Sequence, residues 1–176
     1  MCGIVGYIGL RDAVPLILNG LSRLEYRGYD SAGLAVQSAT GTVSLRKSVG
    51  RLAELEKVLQ ADPTQGTAGI GHTRWATHGP PNLPNCHPHQ DEEGHIAVVH
   101  NGIIENYLEL KDELLAEGYS FDSDTDTEVL TKLIAREHKN SGSLPEALKK
   151  ALNLAKGAYA LGIVSKDEPD VVYAAR

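Results

Sequence analysis

Cys2 is the first residue in the sequence whose position alone suggests chemistry, because only Met1 precedes it. Removal of the initiator methionine would leave a residue that carries both a thiol and a free α-amine. An α-amine is partly neutral near neutral pH, so it can take the thiol proton directly or through a water. We therefore predict that Cys2 is a nucleophile that needs no histidine, although isolated cysteines more often pack in a core.

A second group of candidate residues lies in the segment HTRWATHG, His72 to Gly79. Arginine binds a carboxylate through two parallel hydrogen bonds, which lysine cannot reproduce, so Arg74 is a candidate carboxylate anchor. Thr77 and His78 could add hydrogen-bond donors, and the Trp75 indole could cover a bound small molecule. The alternative is a solvated loop in which Trp75 anchors the core.

Two further motifs complete the candidate site. Asn101 and Gly102 end an apolar strand, and an Asn amide beside the next backbone N–H makes an oxyanion hole for acyl transfer. The Asn-Gly pair is also the commonest tight-turn dipeptide, which is the competing interpretation. Asp126, in DTDTE at a helix start, could bind a substrate ammonium or could simply favour the helix dipole.

The histidine-rich segment between His72 and His100 has to be weighed as a metal site. Cys86, His87, His89 and His78 are of the ligand types that zinc prefers. Cys86 and His87 are adjacent, however, and none of the usual paired zinc spacings is present. We expect neither a metal nor another cofactor, and a metal-binding regulatory module stays as the second hypothesis.

Composition excludes several classes of protein. The 176 residues correspond to one domain with a net charge of −6. The stretch from Glu105 to Glu128 contains nine acidic residues and one lysine. This excess of negative charge argues against nucleic acids and anionic membranes as partners. Two cysteines cannot form a disulfide framework, and no apolar run reaches the ~20 residues of a membrane span. We expect a cytoplasmic protein without a signal peptide.

The elements that must position these residues follow from the apolar periodicity. Strands are predicted near each end of the chain and on both sides of the polar stretch 73–95, with helices grouped between them. Capping-box spacing predicts helix starts at Thr125 and at Ser143. Grouped rather than alternating strands and helices favour an α+β layered sandwich.

Taken together, the motifs resemble the glutaminase domain of class II glutamine amidotransferases, which are N-terminal-nucleophile hydrolases. The segments MCGIVGYIG, GIGHTRWATHG, HPH, VVHNGIIENY and SDTDTEV occur in the family order, and the resemblance covers essentially the whole chain. The resemblance implies a four-layer αββα sandwich, here incomplete at its C-terminal side. RLEYRGYDSAG, Arg23 to Gly33, is most similar to the branch of the family that uses fructose 6-phosphate.

The resemblance also implies a role for each candidate residue. Cys2 would attack the side-chain amide of L-glutamine, with Asn101 and Gly102 as the oxyanion hole. Arg74, assisted by Thr77 and His78, would hold the α-carboxylate, Asp126 with the Gly102 backbone would hold the α-amine, and Trp75 would close over the substrate. Supporting positions near the nucleophile are implied for Arg27 and His87.

The same resemblance implies what the chain does and lacks. Residues 1–176 would form an incomplete glutaminase domain that releases ammonia and glutamate. Sugar-phosphate isomerase domains, absent here, would deliver the ammonia to fructose 6-phosphate in a full-length enzyme that forms homo-oligomers. A third hypothesis is a catalytically silent scaffold that only binds glutamine or a partner.

Overall fold

The computed structural model describes residues 2–176, which form two antiparallel sheets of four strands each. Sheet 1 has the strand order β1-β4-β2-β3, and sheet 2 has the order β5-β6-β7-β8. The strands are β1 Gly3–Ile8, β2 Ser31–Gln37, β3 Val43–Val49, β4 Ala68–Arg74, β5 His89–Gln90, β6 Ile96–Ile104, β7 Gly157–Ser165 and β8 Tyr173–Ala175. The helices are α1 Ala13–Ser22, α2 Leu52–Ala61, α3 Tyr107–Ala116, α4 Asp126–Ser141 and α5 Leu144–Leu154, with a short 3-10 helix at Glu25–Arg27.

The two sheets stack face to face, and helices cover both outer faces. Helices α1 and α2 pack on sheet 1, and helices α3, α4 and α5 pack on sheet 2. A small apolar layer joins the sheets, formed by side chains that alternate along their strands toward the opposite sheet. Its buried members are Ala35, Ile70, Ala97, Val99 and Val164. The predicted four-layer αββα sandwich is confirmed.

Both predicted helix starts are confirmed, but the capping boxes form only in part. The Thr125 hydroxyl accepts from the Glu128 N–H at 3.2 Å, as the capping-box spacing indicates. The Glu128 carboxylate, however, accepts from the backbone of Asp122 and Ser123 rather than from Thr125. The second predicted helix start is confirmed as well, since α5 begins at Leu144 with Ser143 as its N-cap residue, although the Ser143 side chain makes no capping hydrogen bond.

The polar stretch 73–95 is mostly loop, broken by the two-residue strand β5 that pairs with β6. This loop therefore returns to sheet 2 after leaving sheet 1 at the end of β4. Among residues 2–176, no helix has the length and apolar character needed to cross a membrane.

Candidate active site

One cavity of about 480 Å³ gathers every predicted site residue at one end of the sandwich. Its walls come from the residue before β1, the end of β4 with the following loop, the second half of β6, and the start of α4. These segments are far apart in sequence and meet because β1 pairs with β4 in sheet 1 and because the two sheets stack. The lining residues are Cys2, Arg27, Arg74, Trp75, Thr77, His78, His87, His100, Asn101, Gly102, Ile103, Thr125, Asp126 and Thr127.

Cys2 lies at the edge of this cavity, half-buried, immediately before β1. The antiparallel register pairs Gly3 with Thr73, which puts Cys2 beside the end of β4. The Trp75 N–H donates to Cys2 Sγ at 3.2 Å, and the thiol lies 3.4 Å from the Trp75 carbonyl oxygen. The sulfur is therefore held by the loop that follows Arg74. Met1, whose removal the predicted chemistry requires, lies outside the described residues.

Arg74 ends β4 and is only 4% exposed. Its Nη2 donates to the carbonyl oxygens of His78 and, at 3.2 Å, of Gly79, so the guanidinium holds the loop against the strand. Nη1 is buried without a hydrogen-bond partner among residues 2–176, and its nearest carboxylate oxygen is Asp30 Oδ1 at 3.8 Å. A buried charged donor without a partner is costly, so this atom is suited to bind an anion in the cavity.

The loop 75–88 is held by two residues that the motifs did not single out. Asp30 Oδ2 accepts from the Ala76 N–H. Asn85 is fully buried, and its amide donates to the Pro80 carbonyl at 2.9 Å and accepts from the Asp124 N–H at 2.9 Å. Asn85 thereby ties the loop to the residues just before α4. For Asn85 the sequence signal was the length of this polar stretch, whereas Asp30 lies in the RLEYRGYDSAG motif.

Asn101 and Gly102 lie inside β6, opposite Ala160 and Tyr159 of β7, and not in a tight turn. Gly102 has φ of +117°, and a Cβ there would lie 2.2 Å from the Ala158 carbonyl oxygen. Only glycine fits that backbone position. The competing turn interpretation of this dipeptide is therefore wrong.

Asp126 is the first residue of α4 and is buried. Its Oδ2 accepts from the Ile104 N–H at 2.9 Å, while Oδ1 lies 3.7 Å from Nδ1 of His100. The carboxylate therefore does more than favour the helix dipole, because it also ties α4 to β6 at the cavity. The Asp126 carboxylate and the Arg74 guanidinium together give the cavity one buried negative group and one buried positive group. Binding of a zwitterion requires such a pair.

Four buried histidines lie in or behind this end of the sandwich. Burial lowers the pKa of His72 to about 4, and it is also the main cause of the lowered pKa values of His87, His89 and His100. All four are therefore neutral near neutral pH. Within residues 2–176, no group of three or more His, Cys, Asp or Glu side chains is arranged to hold a metal ion, so the metal-module hypothesis has no ligand set there.

Every predicted site residue lines the cavity, although not all are held equally. Trp75 is 55% exposed at the cavity mouth and is not the core anchor of the alternative interpretation. Thr77 is also exposed, whereas the His78 ring packs edge-on against Tyr107. The motifs missed His100 and Thr127, whose Nδ1 and Oγ1 lie 2.9 Å apart beside Asp126. Their positions next to Asn101 and Asp126 in the sequence were the available signal.

Comparison with known proteins matches this chain to glutamine amidotransferases. A family model described as a glutamine amidotransferase domain matches residues 84–176. The glutamine–fructose-6-phosphate aminotransferase (isomerizing) of Caldanaerobacter subterraneus subsp. tengcongensis is 56% identical over 176 residues, which is all of this chain and 28% of that protein. The enzyme of the same name from Thermococcus kodakarensis is 55% identical over 176 residues, again all of this chain and 29% of that protein. The chain thus spans little more than a quarter of these relatives.

Solved structures agree with the architecture. Glutamine phosphoribosylpyrophosphate amidotransferase from B. subtilis, complexed with ADP and GMP, superposes with a TM-score of 0.79 at 30% identity, covering 94% of this chain and 35% of that one. A glutamine aminotransferase class-II domain protein from Silicibacter pomeroyi shares the fold, with a TM-score of 0.54 at 20% identity over 83% of this chain and 68% of that one. On the strength of the family match and of relatives that align along its entire length, this chain belongs to the glutamine amidotransferase domain family.

Proposed function

We propose that this chain hydrolyses L-glutamine to L-glutamate and ammonia, with Cys2 as the nucleophile. The observation that carries the proposal is the set of side chains that line the cavity beside Cys2. It brings together a thiol, a buried guanidinium with an unpartnered N–H, an Asn-Gly pair inside a strand, and a buried carboxylate. The names of the relatives add glutamine as the nitrogen donor.

Substrate recognition divides between the two charged groups. The unpartnered Nη1 of Arg74 donates to the α-carboxylate, and Asp126 accepts from the α-ammonium. These contacts orient the side-chain amide toward Cys2 and take no part in bond making. Trp75, exposed at the mouth, covers the bound amino acid, with Thr77 and His78 alongside.

The reaction proceeds through a thioester. The α-amine of Cys2, once Met1 is removed, takes the thiol proton, and Sγ forms a bond to the amide carbon. The resulting oxyanion accepts hydrogen bonds from Asn101 and Gly102, of which one such donor is worth about 2.7–4 kcal/mol. Collapse breaks the C–N bond and expels ammonia with the proton from the α-amine. Water then attacks the thioester, giving glutamate and restoring the thiol.

The test is release of glutamate and ammonia by the purified chain, with the mass of the intact protein measured in the same preparation. Active protein is expected to lack Met1, and Cys2→Ala is expected to abolish turnover without loss of folding. Labelling by 6-diazo-5-oxo-norleucine at Cys2 separates an enzyme from a silent scaffold. Undiminished turnover by Cys2→Ala, or by protein that retains Met1, would overturn the mechanism.

We further propose that, in a full-length cytoplasmic and homo-oligomeric enzyme, the ammonia is transferred to fructose 6-phosphate to give glucosamine 6-phosphate. The names of the relatives support this acceptor. Residues 1–176 alone are expected to release ammonia at the same rate with and without fructose 6-phosphate. A chain extended to the relatives' length is expected to form the amino sugar, and its failure to do so would exclude this acceptor.

A further inference from the structure

His72 lies behind the cavity rather than in its wall. It belongs to β4, two residues before Arg74, and is 0% exposed. Its Nε2 lies 2.8 Å from Oδ1 of Asn101, which is in β6 of the other sheet. Its second ring nitrogen, Nδ1, is buried and has no partner among residues 2–176. The contact to Asn101 therefore joins the two sheets directly beneath the cavity.

The hydrogen-bond chemistry of the two side chains determines which atom donates. The amide oxygen of Asn101 can only accept, so the Nε2 of His72 carries the ring proton. The hydrogen bond to Asn101 raises the pKa of His72, as a bond donated by the ring does, against the larger lowering by burial. The imidazole is thus a neutral donor at neutral pH.

This donor selects one of two orientations of the Asn101 amide. An asparagine side chain can present either its oxygen or its NH2 group in a given direction, since the two ends have nearly the same shape. With Oδ1 held by His72, Nδ2 is left to face away from His72. If Nε2 were instead an acceptor, Asn101 would turn its NH2 group toward His72 and its oxygen toward the oxyanion, which it would repel.

We propose that His72 is a positioning residue for the oxyanion hole: it holds Oδ1 of Asn101 so that Nδ2 faces the reacting carbonyl. The inference rests on the proposed function of the cavity, because an oxyanion forms only if Cys2 attacks an acyl group. His72 is not among the residues that line the cavity. Its ring is held in turn by the His87 ring, whose centroid is 4.3 Å away.

The first experiment replaces His72 and separates transition-state from ground-state effects. His72→Phe keeps a planar ring without a donor and is expected to lower kcat for glutamine about 10- to 100-fold. This is less than the fall of about 10²–10³-fold expected when one oxyanion-hole donor is removed altogether. KM should stay within about threefold. The Ki of a γ-aldehyde analogue, which forms a tetrahedral adduct with the thiol, should rise by the same factor as kcat falls.

Two variants control for a merely structural effect. His72→Gln restores an N–H donor and should recover most of kcat. His89→Phe removes another buried imidazole, one that bonds to Thr125 rather than to Asn101, and should leave the ratio of Ki to KM unchanged. If His72→Phe does not fold, His72→Asn replaces it, since its side chain is too short to reach Asn101. A loss in kcat as large for His89→Phe as for the His72 variant would overturn the assignment.

A double-mutant cycle decides whether His72 acts through Asn101. In the Asn101→Ala background, His72→Phe should cause no further fall in kcat, because the donor that His72 orients is already absent. Multiplicative losses would overturn this proposal while leaving glutamine hydrolysis intact. Wild-type protein that neither hydrolyses glutamine nor binds the aldehyde would instead overturn the proposed function.

Discussion

The space between the two sheets changes character within two residues along the same strands. In β4, Ile70 belongs to the apolar layer between the sheets, whereas His72 and Arg74 follow on the same face. In β6, Val99 belongs to that layer and Asn101 follows. The five side chains of the apolar layer therefore form an apolar region, called here the apolar end, and the polar end beyond Ile70 and Val99 contains the cavity.

The two ends differ in how completely their groups are satisfied. The side chains of the apolar layer carry no polar atoms, so their burial only adds stability. At the polar end, buried ring and guanidinium nitrogens of His72, His87, His100 and Arg74 have no hydrogen-bond partner among residues 2–176. Unpaired buried donors and acceptors cost stability. This difference in hydrogen bonding indicates that the apolar end stabilises the contact between the sheets and that the polar end serves binding and chemistry.

Ile70→Ala tests whether the apolar end carries stability alone. Ile70 is fully buried between the sheets, so the truncation should lower the free energy of unfolding by about 2–5 kcal/mol in urea titrations. Ile8→Ala, on a side chain that is 52% exposed, is the control and should cost much less. KM for glutamine should be unchanged in both. A large rise of KM in Ile70→Ala would show that the two ends are not separable.

Arg74→Lys tests the polar end, where we expect a change in KM for glutamine rather than in stability. The ammonium cannot reproduce a bidentate contact with a carboxylate, and loss of one charge-assisted hydrogen bond costs about 1.5–3 kcal/mol. KM for glutamine should therefore rise about 10- to 100-fold, with a smaller change in kcat. Arg11→Lys, on the exposed surface, is the matched control. An unchanged KM in Arg74→Lys would remove the assigned carboxylate contact.

The pH dependence of stability should also come from the polar end. Burial lowers the pKa of His72 to about 4 in the folded protein. As the pH falls below about 6.5, His72 is therefore protonated in the unfolded chain but stays neutral in the folded one. The free energy of unfolding is therefore highest above pH 6.5 and falls as the pH is lowered. His72 alone accounts for a loss of about 2 kcal/mol at pH 5.

Urea titrations at pH 7.5 and pH 5 check this sign. His72→Phe should show a shallower dependence on pH than wild type, because it lacks one of the buried imidazoles. Ile70→Ala should lose the same amount as wild type between the two pH values, since the apolar layer binds no protons. Equal slopes in wild type and His72→Phe would contradict the account.

Cys86 gives the smallest expected effect and separates the two thiols. It is fully buried in the loop 75–88, and burial raises the pKa of its thiol. Its Sγ lies 3.1 Å from the Asn82 carbonyl oxygen. Cys86→Ala should change kcat less than twofold and cost about 1 kcal/mol of stability. Iodoacetamide should label Cys2 but not Cys86 in the folded protein, and equally fast labelling of both would contradict this packing.

Particular elements show where sequence reasoning succeeded. The short strand segments of β4 and β6 and the Thr125 cap could be predicted because they depend on neighbours within a few residues. The Ser143 cap failed for a related reason. An adequate spacing does not guarantee a bond when other local partners compete, and the Ser143 N–H donates at 3.4 Å to the Ser141 hydroxyl rather than to Glu146.

The residues that hold the site were harder to predict than the residues that form it. Cys2, Arg74, Asn101 and Asp126 occur in recognisable motifs, and the structure brings them to one cavity. The sequence does not show the roles of Asn85 and His72, although His72 lies in the HTRWATHG motif, because each acts on a partner 39 or 29 residues away.

The sequence by itself determined the types of reactive group, the strand and helix pattern and, through its ordered motifs, the family. Only the tertiary structure decided that the Asn-Gly pair lies in a strand, that Arg74 keeps an unpartnered N–H, and that His72 meets Asn101 across the sheets. The physical reason is the distance along the chain over which the interactions act. Periodicity and capping are set by bonds within one or two turns of chain, whereas burial and the pairing of polar atoms depend on which strands the stacked sheets bring together.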